Sequence, residues 1–143
     1  MNTLPLQTQK PQDYINLVNP AKSDLPNYLY LSLAVLWAYS GVMPVLFAPT
    51  ESLAMLAKLG IAESLQWGVF LFASALDVVF AVLIISRCRY QAWLWLAQFV
   101  VVANYSVIVA VGLTENWTHP FAPLIKNVPI MALLFYLYQQ HNH

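Results

Sequence analysis

With 143 residues, 60% of them apolar and only 8% charged, the chain has the composition of a membrane protein and not that of a soluble domain. Six basic residues balance six acidic ones, so no long-range field exists to recruit nucleic acid. The single cysteine, Cys88, excludes an internal disulfide and a paired-thiol redox centre within one chain.

Residues 1–26 form a polar stretch broken by Pro5, Pro11 and Pro20, which reads as a cytoplasmic tail or surface strap. It lacks the charged start, short apolar core and cleavage site of a signal peptide, so the first span is expected to stay in place as an anchor. Four apolar runs follow, at 28–47, 67–86, 93–113 and 121–138. A helix rising about 1.5 Å per residue crosses a hydrocarbon core of roughly 30 Å in about 20 residues, and the first three runs reach that length. The fourth is weaker, being the shortest and carrying Pro123, Lys126, Asn127 and Pro129. It counts as a span because residues 130–138 are strongly apolar and Pro123 suits a first helical turn; Pro129 is expected to kink it.

Between the first two runs, Pro49-Thr50-Glu51 reads as an N-cap, the stretch to Leu59 as a short helix and Gly60 as its stop. Leu53, Leu56, Ala57 and Leu59 would then face lipid or the other helices, with Glu51 and Lys58 toward water. The expected fold is all-α: a transmembrane four-helix bundle (residues 27–143) with a short interfacial helix between spans one and two. Lys10, Lys22, Arg87 and Arg89 fall on one side of that layout and Lys58 on the other. The excess of basic residues places both termini in the cytoplasm and Glu51, Glu115 and His119 outside.

Against this frame two charges stand out, Asp77 in the second run and Lys126 in the fourth. A charged group at the middle of a membrane helix costs about 2.5 to 3.5 kcal/mol on insertion scales, so it normally has a partner or a task. Asp77 falls roughly 15 Å from either end of its run, Lys126 roughly 7 Å inside the outer surface and Asn104 roughly 13 Å inside it. Ala73, Asp77 and Ala81, with Ser74 beside them, make a small-residue face suited to close packing, and Ala97, Asn104 and Val111 repeat every seven residues, which allows Asn104 to point inward.

Two readings stay open. In one, Asp77, Asn104, Lys126 and Asn127 line an outer-half polar pocket with His119 and Glu51 at its mouth. In the other the same groups are structural: Lys126 reaches out to the interface, Asp77 bonds to Ser74, Asn104 or Tyr39, and Asn127 caps backbone freed by Pro129. No metal set is expected, since His119 lies across the membrane from His141 and His143. Asn116-Trp117-Thr118 fits a glycosylation sequon without other support.

Trp37-x-Tyr39-x-Gly41-x-x-Pro44, Pro49-x-Glu51 with Met55-Leu56 and Gly60, Asp77, and His119-Pro120-Phe121-x-Pro123-Leu124-x-Lys126-Asn127-x-Pro129 together resemble the DoxX-like family of small four-span membrane proteins. The resemblance covers roughly residues 26–138. It implies a four-helix membrane fold of bacterial type, in the cytoplasmic (inner) membrane. Many family members carry a glutamate where this chain has Asp77, and relatives bearing the DoxX name are associated with membrane redox complexes and quinone chemistry. Two functions follow as expectations. The preferred one is a non-enzymatic accessory or scaffold subunit that contacts other membrane subunits or further copies of itself, because no cofactor motif and no nucleophile with a nearby base can be read from the chain. The other is a binder of a quinone or lipid, with Lys126 and Asn127 on its polar head and Trp37 and Tyr39 on its ring, assisting membrane redox chemistry.

Overall fold

The computed structural model describes residues 25–113 and 123–142. The polar tail before Leu25, the sequon, Glu115, His119 and His143 lie outside the described residues. Among the described residues the chain is all-helical, with α1 at Asn27–Phe47, α2 at Pro49–Lys58, α3 at Glu63–Ile85, α4 at Ala92–Gly112 and α5 at Pro123–His141. A single 3-10 turn, Arg87–Tyr90, joins α3 to α4.

Proline and glycine set the breaks. Ala48 leaves the helical region (φ −138°, ψ 43°) between α1 and α2, as expected for a residue whose successor is Pro49. α2 therefore opens on Pro49 itself, so that the expected cap stretch Pro49-Thr50-Glu51 forms its first turn, with Ala48 at the cap position and no side chain capping it. It closes as expected at Gly60, whose φ of +80° is open to glycine. The Gly60 amide bonds to the Ala57 carbonyl and the Ile61 amide to that of Leu56, which satisfies two of the last carbonyls in a Schellman arrangement. Leu53, Leu56 and Leu59 are partly covered while Glu51, Lys58 and also Ala57 are exposed. At the other end of α3, Ser86 terminates the helix in extended conformation, and its hydroxyl accepts the Cys88 amide to start the 3-10 turn.

α1, α3 and α4, of 21, 23 and 21 residues, are long and apolar enough to cross a membrane; α5, with Lys126, Asn127 and Pro129 in its first half, is not among these. Leu31, Phe47, Phe72, Val107 and Val111 are exposed along the helices, as suits side chains that face lipid.

α1 packs along α3, and α4 along α5. Both pairs are antiparallel: Trp37 stacks on Phe80 and Gly41 faces Ser74 in the first, while Ser106 meets Asn127 and Phe99 meets Phe135 in the second. Gly41 is required for the first contact, because a Cβ there would lie 2.6 Å from the Ser74 carbonyl oxygen and 2.9 Å from Val78 Cγ2. The pairs are joined by a core of Tyr30, Leu33, Trp37, Phe80, Ile84, Leu94, Trp95, Leu134 and Leu137. All of these belong to the half of the molecule next to the Arg87–Tyr90 turn. A second bridge forms at the opposite tip, where Leu59 lies against Gly112 of α4.

Candidate functional site

The expected site residues do not converge. Asp77 is half-buried in the α1–α3 contact, its Cβ just beyond the space that Gly41 leaves open, and it interacts electrostatically with Tyr105 of α4. Of the small-residue face, Ser74 and Ala81 are buried and Ala73 is exposed. Lys126 is exposed in the first turns of α5, and among the described residues no ion pair joins it to Asp77. Asn127 donates from Nδ2 to Ser106 Oγ at 2.8 Å, so it ties α5 to α4 and does not cap the backbone around Pro129. Glu51 is exposed on α2.

Two of the expectations about orientation are corrected. Asn104 does not point inward: it is exposed and donates from Nδ2 to the Val100 carbonyl of its own helix at 2.8 Å. The buried face of α4 is carried by Leu94, Trp95, Gln98, Val102 and Val109; of the Ala97–Asn104–Val111 row only Ala97 packs against the core, while Asn104 and Val111 are exposed. Trp37 and Tyr39 cannot hold one ring between them either. Two residues apart on a helix they point roughly 160° away from each other, and Trp37 is buried in the core while Tyr39 is 62% exposed.

Sequence inspection passes over the residue that organises the core's polar layer. Trp37 Nε1 donates to Gln98 Oε1 at 2.7 Å, linking α1 to α4 across the two pairs. Gln98 is fully buried, and its Nε2 finds no partner among the described residues. The signal available was a lone amide inside an apolar run, one helical turn from Leu94 and another from Val102. Ser106, partner to Asn127, was equally silent, because a hydroxyl in a helix is usually satisfied by the preceding turn; Ser106 also makes that bond, to the Val102 carbonyl at 2.7 Å.

The polar groups thus form separate ties, and Asp77, which has no ion-pair partner among the described residues, lies with Ser106 and Asn127 between the aromatic core on one side and the Leu59–Gly112 bridge on the other. An apolar groove of about 500 Å³ beside that bridge is lined by Leu59, Ile61, Val107, Ile108, Val111 and Gly112, and none of the expected site residues borders it. Among the described residues no three of His, Cys, Asp and Glu gather as a metal ion would need.

The DoxX-like family matches residues 34–135, well over half the chain and a stretch that contains Trp37, Gly41, Asp77, Gln98 and the Lys126–Pro129 segment. The chain belongs to the DoxX-like family. No curated protein and no solved structure matches it. Family membership and three span-length apolar helices agree that this DoxX-like chain is a small membrane protein in contact with the lipid bilayer. Gly41 has a concrete role in it, as a residue whose missing side chain lets α1 approach α3 closely.

Proposed function

We propose that this DoxX-like chain is a non-enzymatic accessory or scaffold subunit of a membrane complex, in a bacterial inner membrane, with four spans, both termini in the cytoplasm and residues 1–26 as a cytoplasmic tail. The observation that carries the reading is how its polar side chains are used. Trp37 with Gln98, and Asn127 with Ser106, join helix to helix, and Asn104 is satisfied within its own turn. A catalytic site needs groups that converge on one point; these are spread over separate contacts. Asp77, half-buried with no countercharge beside it among the described residues, supplies the docking feature, since a partner helix that brought a donor to it would lower the cost of an acid at this depth.

A second reading is favoured by the position of Asp77, Tyr105, Ser106 and Asn127 between the two bridges that join the helix pairs. In that reading the less densely bridged layer accepts the head of a quinone or lipid, with Lys126 and Asn127 above it, and the chain assists membrane redox chemistry.

Purification in mild detergent followed by mass spectrometry of the intact assembly separates the two. The scaffold reading expects companion subunits that are lost with Asp77→Asn. A quinone or lipid bound in fixed ratio and lost with Lys126→Ala, with no companion subunit, would replace it with the second reading.

A further inference from the structure

The turn between α3 and α4 is built around one arginine. The Arg89 guanidinium carbon lies 5.3 Å from the centre of the Tyr30 ring and 4.9 Å from that of Tyr90, and Nη2 donates to the Tyr90 hydroxyl at 2.7 Å. Its backbone is held as well, because the Trp95 indole donates to the Arg89 carbonyl at 2.9 Å. His141 completes the cluster by donating from Nδ1 to the Leu137 carbonyl and packing on Tyr30, Tyr90 and Trp95. In the neutral ring this leaves Nε2 to accept from the Tyr30 hydroxyl. The guanidinium is thus held between Tyr30 of α1 and Tyr90 of the turn, and its backbone by Trp95 of α4, before any ligand arrives. The Tyr90 bond is the one hydrogen bond that it makes among the described residues, out of the five donors that a guanidinium carries.

We propose that this turn binds the phosphate of an anionic lipid headgroup. Four observations converge on an oxyanion. Arg89 presents its remaining donors in a fixed plane, the geometry that suits phosphate oxygens. Exposed Arg87 stands two residues away. The Tyr90 hydroxyl accepts from Arg89 and so has its own proton to donate. α4 begins two residues after Tyr90, at Ala92, with no side chain capping its first amides and no acid in its first turn, so the turn leads directly into a positive helix end. Among the described residues no carboxylate competes there: Glu51 and Glu63 belong to α2 and the far end of α3, and Asp77 to the middle of α3. The shared chemistry fits free phosphate too, but the turn joins two span-length helices, and the exposed rings of Tyr90 and Trp93 beside it are the kind that settle at the headgroup level. The lipid is the source that meets all of these features.

The test uses the full chain in mild detergent and follows its thermal unfolding while short-chain phosphatidylglycerol, short-chain phosphatidylcholine or inorganic phosphate is added. Phosphatidylglycerol is expected to raise the midpoint saturably, with apparent affinity reduced about tenfold or more in Arg89→Gln and about threefold in Arg87→Gln, as for lost charge-assisted hydrogen bonds. Lys58→Gln, an equal loss of charge at the opposite tip, is expected to change nothing. Equal stabilisation by phosphatidylcholine overturns the proposal, and so does an equal loss in Lys58→Gln, which would mean diffuse attraction. A saturable shift with inorganic phosphate matching that with phosphatidylglycerol overturns the lipid assignment in favour of a free anion. Should Arg89→Gln fail to fold, exposed Arg87 carries the test, and wild-type affinity in Arg87→Gln overturns the site.

Discussion

The half of the molecule beside the Arg87–Tyr90 turn and the half that holds Asp77 use the same four long helices but join them differently. Beside the turn, large rings reach from one helix pair to the other: Tyr30 lies 5.7 Å from Trp95, and Trp37 bonds to Gln98. Around Asp77 the close packing and the hydrogen bonds run within each pair, Gly41 against Ser74 in one and Ser106 with Asn127 in the other, and what crosses between the pairs is the interaction of Asp77 with Tyr105 and, at the tip, Leu59 against Gly112. Side-chain size accounts for the difference. Glycine, serine and alanine let two backbones approach closely, yet they have no length with which to span to a second pair. Aromatic side chains do the opposite, and bury large areas in doing so. The molecule therefore concentrates its inter-pair stability in one half and leaves the charge-bearing layer in the other, where local opening is easier.

The comparison can be broken most directly at Trp95. This fully buried ring touches Tyr30 and His141 and holds the turn backbone. Trp95→Ala is expected to cost about 3 to 5 kcal/mol, read as a loss of folded protein during denaturant or detergent unfolding. A cost no larger than that of changes around Asp77 would mean that stability is evenly spread. Gly41→Ala comes next. The added methyl meets the Ser74 carbonyl oxygen and Val78, and forcing α1 from α3 is expected to cost about 1 to 3 kcal/mol; a silent substitution in the same assay would show that the pair separates freely. The smallest effect belongs to the tie between Asn127 and Ser106. Membrane hydrogen bonds of this kind average about 0.6 kcal/mol in double-mutant cycles, so Asn127→Ala and Ser106→Ala should show a coupling of that order. A coupling several times larger would place this half on a par with the aromatic one.

Much of the helical layout is legible along the chain because local rules decide it. Pro49 restricts Ala48, Gly60 accepts a positive φ, and Ser86 caps the turn that follows, each acting on its immediate neighbours. The close-packed face of α3 is also legible in part, since Ser74 and Ala81 are small residues on the side that meets α1. The site is far less so. A seven-residue repeat through Asn104 identifies a face without saying which way that face turns, and here Asn104 and Val111 turn outward while Ala97 lies at the edge of the core. Trp37 and Tyr39 read as one motif, although two residues along a helix place them on opposing sides. Gln98 shows along the chain only as a lone amide one turn from Leu94 and from Val102, which does not point to Trp37.

What the sequence determines by itself is the solvent and the class. Apolar runs of span length leave the backbone no way to satisfy its polar groups in lipid other than as helices, and that holds whatever packs against what. Which polar side chains meet is a different matter. Trp37 finds Gln98 across 61 residues and Asn127 finds Ser106 across 21, while Asp77 and Lys126, the two charges most conspicuous in the sequence, form no ion pair with each other among the described residues. Helix rotation and the choice of neighbour depend on the fit of side chains distant along the chain, and only the tertiary structure carries that information.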